Sequence, residues 1–203
     1  MKKFFLILLF WVAGITLVEA ATVTIKFVGP GASVPYHGVD AGYYEVKIDG
    51  TTGTVMCDDF STVIHAGDTW TANVFTYADV MGGAATKFSG AVKYAQAGWL
   101  YSQTALASPS DRAQIQGAIW NIMIPGSVVM DSLAQWYYNQ AASGSYDNFN
   151  WSNTMLVLSP NPHTAGQEFL TPVPVPLPAS ALLLGSGLLG IMGFIRNKKH
   201  KPK

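Results

Sequence analysis

The end of the chain constrains the fold most, because it separates a whole segment from the globular part. Prolines at every second position hold residues 173–178 extended and remove amide donors, so no helix can continue through them. An uncharged apolar stretch follows at 179–195, and a basic cluster closes the chain at 196–203. The stretch is slightly shorter than the roughly 20 residues of an ordinary membrane helix. Its basic flank is nevertheless typical of a cytoplasmic end and argues against a buried core helix. We therefore predict a single transmembrane helix at 179–195.

The same segment resembles a known sorting signal. It combines Pro176-Leu177-Pro178, the small residues Ala179-Ser180, a Gly-punctuated apolar run at 182–190 and the basic end. This combination resembles a PEP-CTERM sorting signal, with Leu177 where the naming motif carries Glu. The resemblance implies that an exosortase, a membrane-embedded Cys peptidase, cleaves near the proline motif. It also implies that the protein is held transiently in the inner membrane and then passes to the cell surface or extracellular matrix. Residues 172–203 are accordingly assigned to this signal.

The beginning of the chain has the pattern of a signal peptide. Lys2 and Lys3 form a cationic start, and an apolar stretch follows at 4–18. Small residues then precede a cleavage position between Ala20 and Ala21, where signal peptidase is the expected partner. An uncleaved membrane anchor is the alternative. Residues 1–20 are therefore predicted to direct export and to take no part in the fold.

The remaining residues, 21–171, have the length of a single domain that can bury a core. They carry five cations against eleven anions, a net charge of −6, although the whole chain is formally neutral. An acidic surface disfavours nucleic acid and anionic lipid as partners. No phosphate-binding glycine loop lies between a predicted strand and a predicted helix, and no ligand spacing typical of a metal site is present. We therefore expect no cofactor, no metal and no nucleic-acid partner.

Hydrophobic periodicity predicts an α+β fold. Alternation predicts strands at 22–28, 43–48, 54–57, 69–77, 154–158 and 167–170. A surface loop rich in glycine is expected at 29–42, and Asp49-Gly50 is a strong hairpin signal. A helical period predicts three helices, at about 89–106, between the break at 108–111 and Pro125-Gly126, and at 127–143. Because late strands can pair with early ones, we predict an antiparallel β-sandwich or barrel-like domain with a three-helix insertion.

The pair that suggests chemistry is Cys57 with Gln116. Cys57 is the only cysteine, so no intrachain disulfide can form. A thiol and a primary amide held together in a dry pocket can condense to a thioester with loss of ammonia. The segment Ile115-Gln116-Gly117-Ala118-Ile119-Trp120 resembles the Gln-x-x-apolar-Trp motif of bacterial thioester adhesin domains, and Met56-Cys57-Asp58 matches their cysteine half. The resemblance implies a Cys57–Gln116 thioester, supported by Ile115, Ile119 and Trp120. An inert buried thiol, an intermolecular disulfide and metal ligation stay open as alternatives.

Three functional classes follow for this exported protein. The first is a non-enzymatic structural or adhesive surface or matrix protein, with exopolysaccharide or surface amines as candidate partners. The second is a secreted hydrolase of matrix polymers, which would use Cys57 with His65 or His163 brought together by the fold. The third is a matrix filler protein without a reactive group. Calcium bound around Asp58, Asp59 and Asp68 competes with an ordinary solvated acidic turn. We expect the first class and no enzymatic activity.

Overall fold

The computed structural model describes residues 20–173, so the predicted signal peptide up to residue 19 and the sorting signal from residue 174 lie outside the described residues. The strands are β1 (Thr22–Tyr36), β2 (Val39–Ile48), β3 (Thr51–Cys57), β4 (Thr69–Phe75), β5 (Met155–Pro160) and β6 (Phe169–Pro172). The helices are α1 (Tyr77–Met81), α2 (Ala91–Gln103), α3 (Pro109–Met123) and α4 (Ser132–Ala141), with a 3-10 turn at Thr104–Leu106. Within the described residues, no helix is long and apolar enough to cross a membrane.

The six strands form a closed barrel in the order β1-β2-β3-β6-β5-β4. Every neighbouring pair is antiparallel, and β1 pairs with both β2 and β4. The late strands β5 and β6 fill the gap between β4 and β3, as expected from strands that return after a helical insertion. The barrel-like alternative of the predicted α+β fold is therefore confirmed.

The surface loop predicted at 29–42 is wrong, because most of this segment lengthens the hairpin of β1 and β2. The pairing runs on to Tyr36 and Val39, with register shifts on both sides of Gly29. Gly31 has a φ of +57°, a conformation that glycine adopts without strain, and a turn at positions 37–38 reverses the chain. Glycines that indicated a loop therefore serve an irregular but continuous hairpin.

The helices lie between β4 and β5, where the insertion was predicted, but they differ in number and limits. The strand predicted to reach residue 77 ends at Phe75, because the next residue, Thr76, is the N-cap of α1. The Thr76 hydroxyl accepts a hydrogen bond from the Asp79 amide, and the Asp79 carboxylate accepts one from the Thr76 amide. This reciprocal cap starts a helix of its own. The last helix, predicted from residue 127, begins at Ser132.

The hydrophobic core has a part inside the barrel and a part between the barrel and the helices. The first part draws on all six strands, with Ile25, Val46, Val55, Trp70, Leu158 and Phe169 among its members. The second part packs α2 and α3 against β3 and β5. Gly117 lets α3 approach β1 closely, since a Cβ there would lie 2.7 Å from the Tyr36 hydroxyl. Helix α3 is thereby held against the sheet with one face toward the end of β3.

Candidate functional site

Cys57 is the last residue of β3, and its side chain is buried. Its backbone pairs with Phe169 of β6. The thiol donates a hydrogen bond to the Asp59 carbonyl at 3.1 Å, and the sulfur accepts one from the Asp59 amide at 3.3 Å. The strand end and the tight turn after it therefore hold the sulfur in place.

Gln116 lies on α3 and is fully buried against this strand end. Its Nε2 donates a hydrogen bond to the Cys57 carbonyl at 2.8 Å. Its Oε1 accepts a hydrogen bond from the Gly42 amide of β2. The structure thus brings together the two residues that the sequence paired, although 59 positions separate them. It fixes both ends of the Gln116 amide.

Gly42 belongs to the site but was missed by the sequence reasoning, which placed it in a loop. Its φ is +123°, and a Cβ there would lie 3.1 Å from the Ser33 Cα on the neighbouring strand. Only glycine fits this position without strain. A glycine at the edge of an alternating strand pattern is the one signal that could have indicated a close backbone approach.

A cavity of about 420 Å³ opens beside the sulfur. Most of its wall is apolar or aromatic, and Phe27, Val39, Tyr44, Phe60, Ile64 and Trp120 line it together with Cys57. Asp40 and Gln167 add polar groups to its lining. The sulfur is therefore buried within the protein but borders a space that a small group can enter.

The surroundings of Cys57 keep its thiol protonated at neutral pH. Burial raises the pKa of the thiol well above its usual value, and the nearby negative charge of Asp59 raises it further. The hydrogen bond from the Asp59 backbone and the nearby indole of Trp120 act in the opposite direction and lower the pKa. A free thiolate is accordingly scarce, which suits a group kept from reacting with solvent or with stray oxidants.

The other residues of the predicted motif divide between the core and the cavity. Ile115 and Ile119 are fully buried and pack within the layer between helices and barrel. Trp120 lies one helical turn after Gln116, where its ring meets Phe60 edge to face with centroids 5.0 Å apart. The two isoleucines therefore anchor α3, and the tryptophan shares the cavity with the sulfur.

Asp59, in the lining of the cavity, belongs to an ion pair that the sequence reasoning did not identify. Lys87 Nζ contacts Asp59 Oδ2 at 2.5 Å, and it also donates hydrogen bonds to Thr62 Oγ1 at 2.7 Å and to the Gly166 carbonyl at 3.0 Å. The Asp59 side chain is fully buried. Burial opposes ionisation of Asp59, but hydrogen bonds from Lys87 and Ser61 outweigh it and lower the pKa of the carboxyl. The pair ties the segment after Cys57 to two distant loops.

Asp58 and Glu168 form a second buried acidic group beside this ion pair. Burial raises the pKa of Asp58, and the negative charge of Glu168 raises it further. Glu168 accepts hydrogen bonds from the Lys87 amide at 2.9 Å and from the Tyr94 hydroxyl at 2.5 Å. The Asp58 oxygens have no hydrogen-bond partner among the described residues. Burial and the neighbouring charge therefore favour the protonated form of Asp58.

The raised pKa of Asp58 predicts a measurable dependence of stability on pH. A folded-state pKa of Asp58 above the unfolded value of about 3.9 stabilises the fold fully below that pH and less as the pH rises. Asp58→Asn keeps a neutral donor toward Glu168 at every pH. We therefore expect the free energy of unfolding of this variant to fall less between about pH 4 and pH 7 than that of the wild type.

Urea unfolding at a series of pH values measures this difference. Asp111→Asn changes a carboxyl that is only half-buried at the start of α3 and serves as the matched control. It should keep the wild-type pH dependence. An unchanged slope in Asp58→Asn would show that Asp58 is ionised in the folded protein.

The histidines considered for hydrolysis lie elsewhere. The His65 side chain is 80% exposed and faces Asp68, and His163 contacts the Ala85 carbonyl at 3.1 Å. The cavity beside Cys57 has no histidine in its lining. Neither His65 nor His163 is therefore placed as a base for the thiol in this structure.

The acidic residues considered for calcium are engaged within the protein. Asp59 pairs with Lys87, Asp58 faces Glu168, and Asp68 accepts a hydrogen bond from the His65 amide. Over residues 20–173, no cluster of three or more His, Cys, Asp or Glu side chains could hold a metal ion.

Comparisons with known proteins add one weak likeness. No family model and no curated protein matches the sequence. Among solved structures, the chain is similar to the N-terminal thioester domain of a surface protein from Clostridium perfringens. The sequence identity is 12% and the TM-score 0.47, over 74% of this chain and 98% of that domain. A likeness of this size establishes neither a shared fold nor a shared chemistry.

Proposed function

We propose that the domain is an exported surface module that attaches covalently to its partner through a thioester between Cys57 Sγ and Gln116 Cδ. The observation that carries the proposal is the position of the Gln116 side chain. Its amide is held between the Cys57 carbonyl and the Gly42 amide, and the Cys57 sulfur borders a cavity. A glutamine that merely filled the core would need neither the only thiol of the chain nor a cavity beside it.

The contacts supply a route for forming the bond. The Cys57 thiol loses its proton, and Sγ attacks Cδ of Gln116. Negative charge then develops on Oε1, where the Gly42 amide already donates a hydrogen bond and acts as an oxyanion donor. The Cδ–Nε2 bond breaks, and the nitrogen takes up the proton and leaves as ammonia. The product is a thioester with the Gln116 carbonyl still facing Gly42.

The same cavity supplies a route for using the bond. A primary amine entering it would attack Cδ, form an amide with the Gln116 side chain and release the Cys57 thiol. A hydroxyl group would form an ester in the same way. The net charge of −6 over residues 21–171 favours a cationic amine over an anionic polymer. Surface amines are therefore the preferred partner, with exopolysaccharide hydroxyls as the second.

The proposal includes the route of the protein to the surface. The predicted signal peptide directs export through signal peptidase, and the resemblance at 172–203 implies transient anchoring and exosortase processing. β1 begins at Thr22, one residue after the predicted cleavage position, and the Ala21 carbonyl accepts a hydrogen bond from the Val74 amide. A domain that starts this close to residue 21 is compatible with cleavage there.

The intact mass of the purified protein tests the thioester. We expect the wild type to be lighter than its sequence by one ammonia, and Cys57→Ala and Gln116→Ala to have their full sequence masses. Methylamine should add its own mass to the wild type, and one thiol should become titratable. Neither variant should react with methylamine.

A full, unmodified mass in freshly purified wild type would refute the proposal. It would favour an inert buried thiol in a structural module, for which the burial and raised pKa of Cys57 are sufficient. Surface attachment that survives Cys57→Ala would point the same way, toward a matrix protein without a reactive group.

A further inference from the structure

Trp120 carries a buried polar group and lines the cavity beside Cys57. Its indole Nε1 is shielded from solvent and has no conventional hydrogen-bond partner among residues 20–173. Trp120 is only 2% exposed, and its ring is wedged edge-on against Phe60. An unpaired buried N–H is unfavourable unless a nearby group can accept a hydrogen bond from it.

The group available to it is the Cys57 sulfur. Both side chains line the same cavity. The interaction of the indole with the thiol lowers the pKa of Cys57, against the larger raising effect of burial. A neutral thiol is a weak acceptor, whereas a thiolate is a strong one. The N–H therefore stabilises the sulfur most when the sulfur carries a negative charge.

We propose that Trp120 is a catalytic residue of the thioester site, whose indole N–H stabilises the negatively charged Cys57 sulfur. This inference rests on the proposed function, because the charge develops at two points of that chemistry. Sγ is the attacking thiolate when the bond forms, and it is the leaving thiolate when an amine opens the bond. The Gly42 amide donates a hydrogen bond to the Gln116 carbonyl oxygen. The Trp120 indole N–H would stabilise the negative charge on the Cys57 sulfur.

Trp120→Phe removes the N–H and keeps most of the ring. We expect methylamine to open the thioester of this variant more slowly by roughly ten- to a hundredfold, since hydrogen bonds to charged groups are of that strength. Trp151→Phe is the matched control. Trp151 is also fully buried, and its indole N–H has no hydrogen-bond partner among the described residues, but it packs against Gly98 of α2 and does not line the cavity beside Cys57. Methylamine should open the thioester of Trp151→Phe at the wild-type rate.

A second measurement examines the contact without any thioester. In a Gln116→Ala background the bond cannot form, and the alkylation rate of Cys57 by iodoacetamide as a function of pH reports the pKa of the thiol. Adding Trp120→Phe should shift this profile to higher pH, because the donor to the thiolate is gone. Adding Trp151→Phe should leave the profile in place.

The outcomes separate this inference from the proposed function. A full wild-type mass with a shifted alkylation profile would refute the thioester and keep the Trp120–sulfur contact. A thioester that opens equally fast in wild type and Trp120→Phe would overturn the role of Trp120 alone. Equal alkylation profiles for the Trp120 and Trp151 variants would also overturn it.

Discussion

Replacing Lys87 with methionine is expected to lower the free energy of unfolding by about 3–5 kcal/mol, the usual loss when one partner of a buried ion pair is removed. Asp59 is fully buried and would keep its charge without its main donor. Lys87 also donates to Thr62 and to the Gly166 carbonyl, so three chain segments would lose a common anchor. Those segments include the wall of the cavity beside Cys57.

Urea unfolding of Lys87→Met at neutral pH measures this loss. Lys47→Met, on the exposed side of β2, is the matched control and should change stability by no more than about 0.5 kcal/mol. Adding Asp59→Asn to Lys87→Met should restore part of the loss, because no charge is then left unpaired. The loss should also shrink in acid, where the unpaired Asp59 takes up a proton. A Lys87→Met protein as stable as the Lys47 control would show that the pair is open to solvent.

Gln116→Glu is expected to lower the free energy of unfolding by on the order of 3 kcal/mol at neutral pH. The new carboxylate has the size of the amide but cannot donate to the Cys57 carbonyl, which would face a buried negative charge instead. Burial would raise the pKa of this glutamate in the folded state. The folded protein would then bind a proton that the unfolded chain releases above about pH 4.3, so the deficit should grow as the pH rises.

A Cys57→Ala background makes this measurement independent of the thioester, since no cross-link can then contribute to stability. Gln135→Glu, on the exposed surface of α4, is the matched control and should stay within about 0.5 kcal/mol. The decisive comparison is the stability of the two glutamate variants across pH. If they were equally stable, Gln116 would lie in contact with water rather than between Cys57 and Gly42.

The chain order of strands and helices could be predicted because burial leaves a local pattern in the sequence. The hairpin at Asp49-Gly50 was predicted, and both residues adopt positive φ in the turn between β2 and β3. The hairpin of β1 and β2 was missed because its glycines, which permit bulges, are also the usual sign of a loop. The limits of α1 and α4 depend on capping contacts, which hydrophobic periodicity does not report.

For the candidate site, the sequence by itself determined the chemistry that was available: one thiol, and a glutamine in a motif on a predicted helix. These are properties of residue type and local spacing, which need no folded chain. Only the tertiary structure decided which groups meet them. Closing the barrel brings Gly42 of β2 to Gln116 of α3, and it buries Asp58, Glu168 and Lys87 together behind the sulfur. These contacts join residues far apart in the chain, and their burial and charge depend on every strand that encloses them.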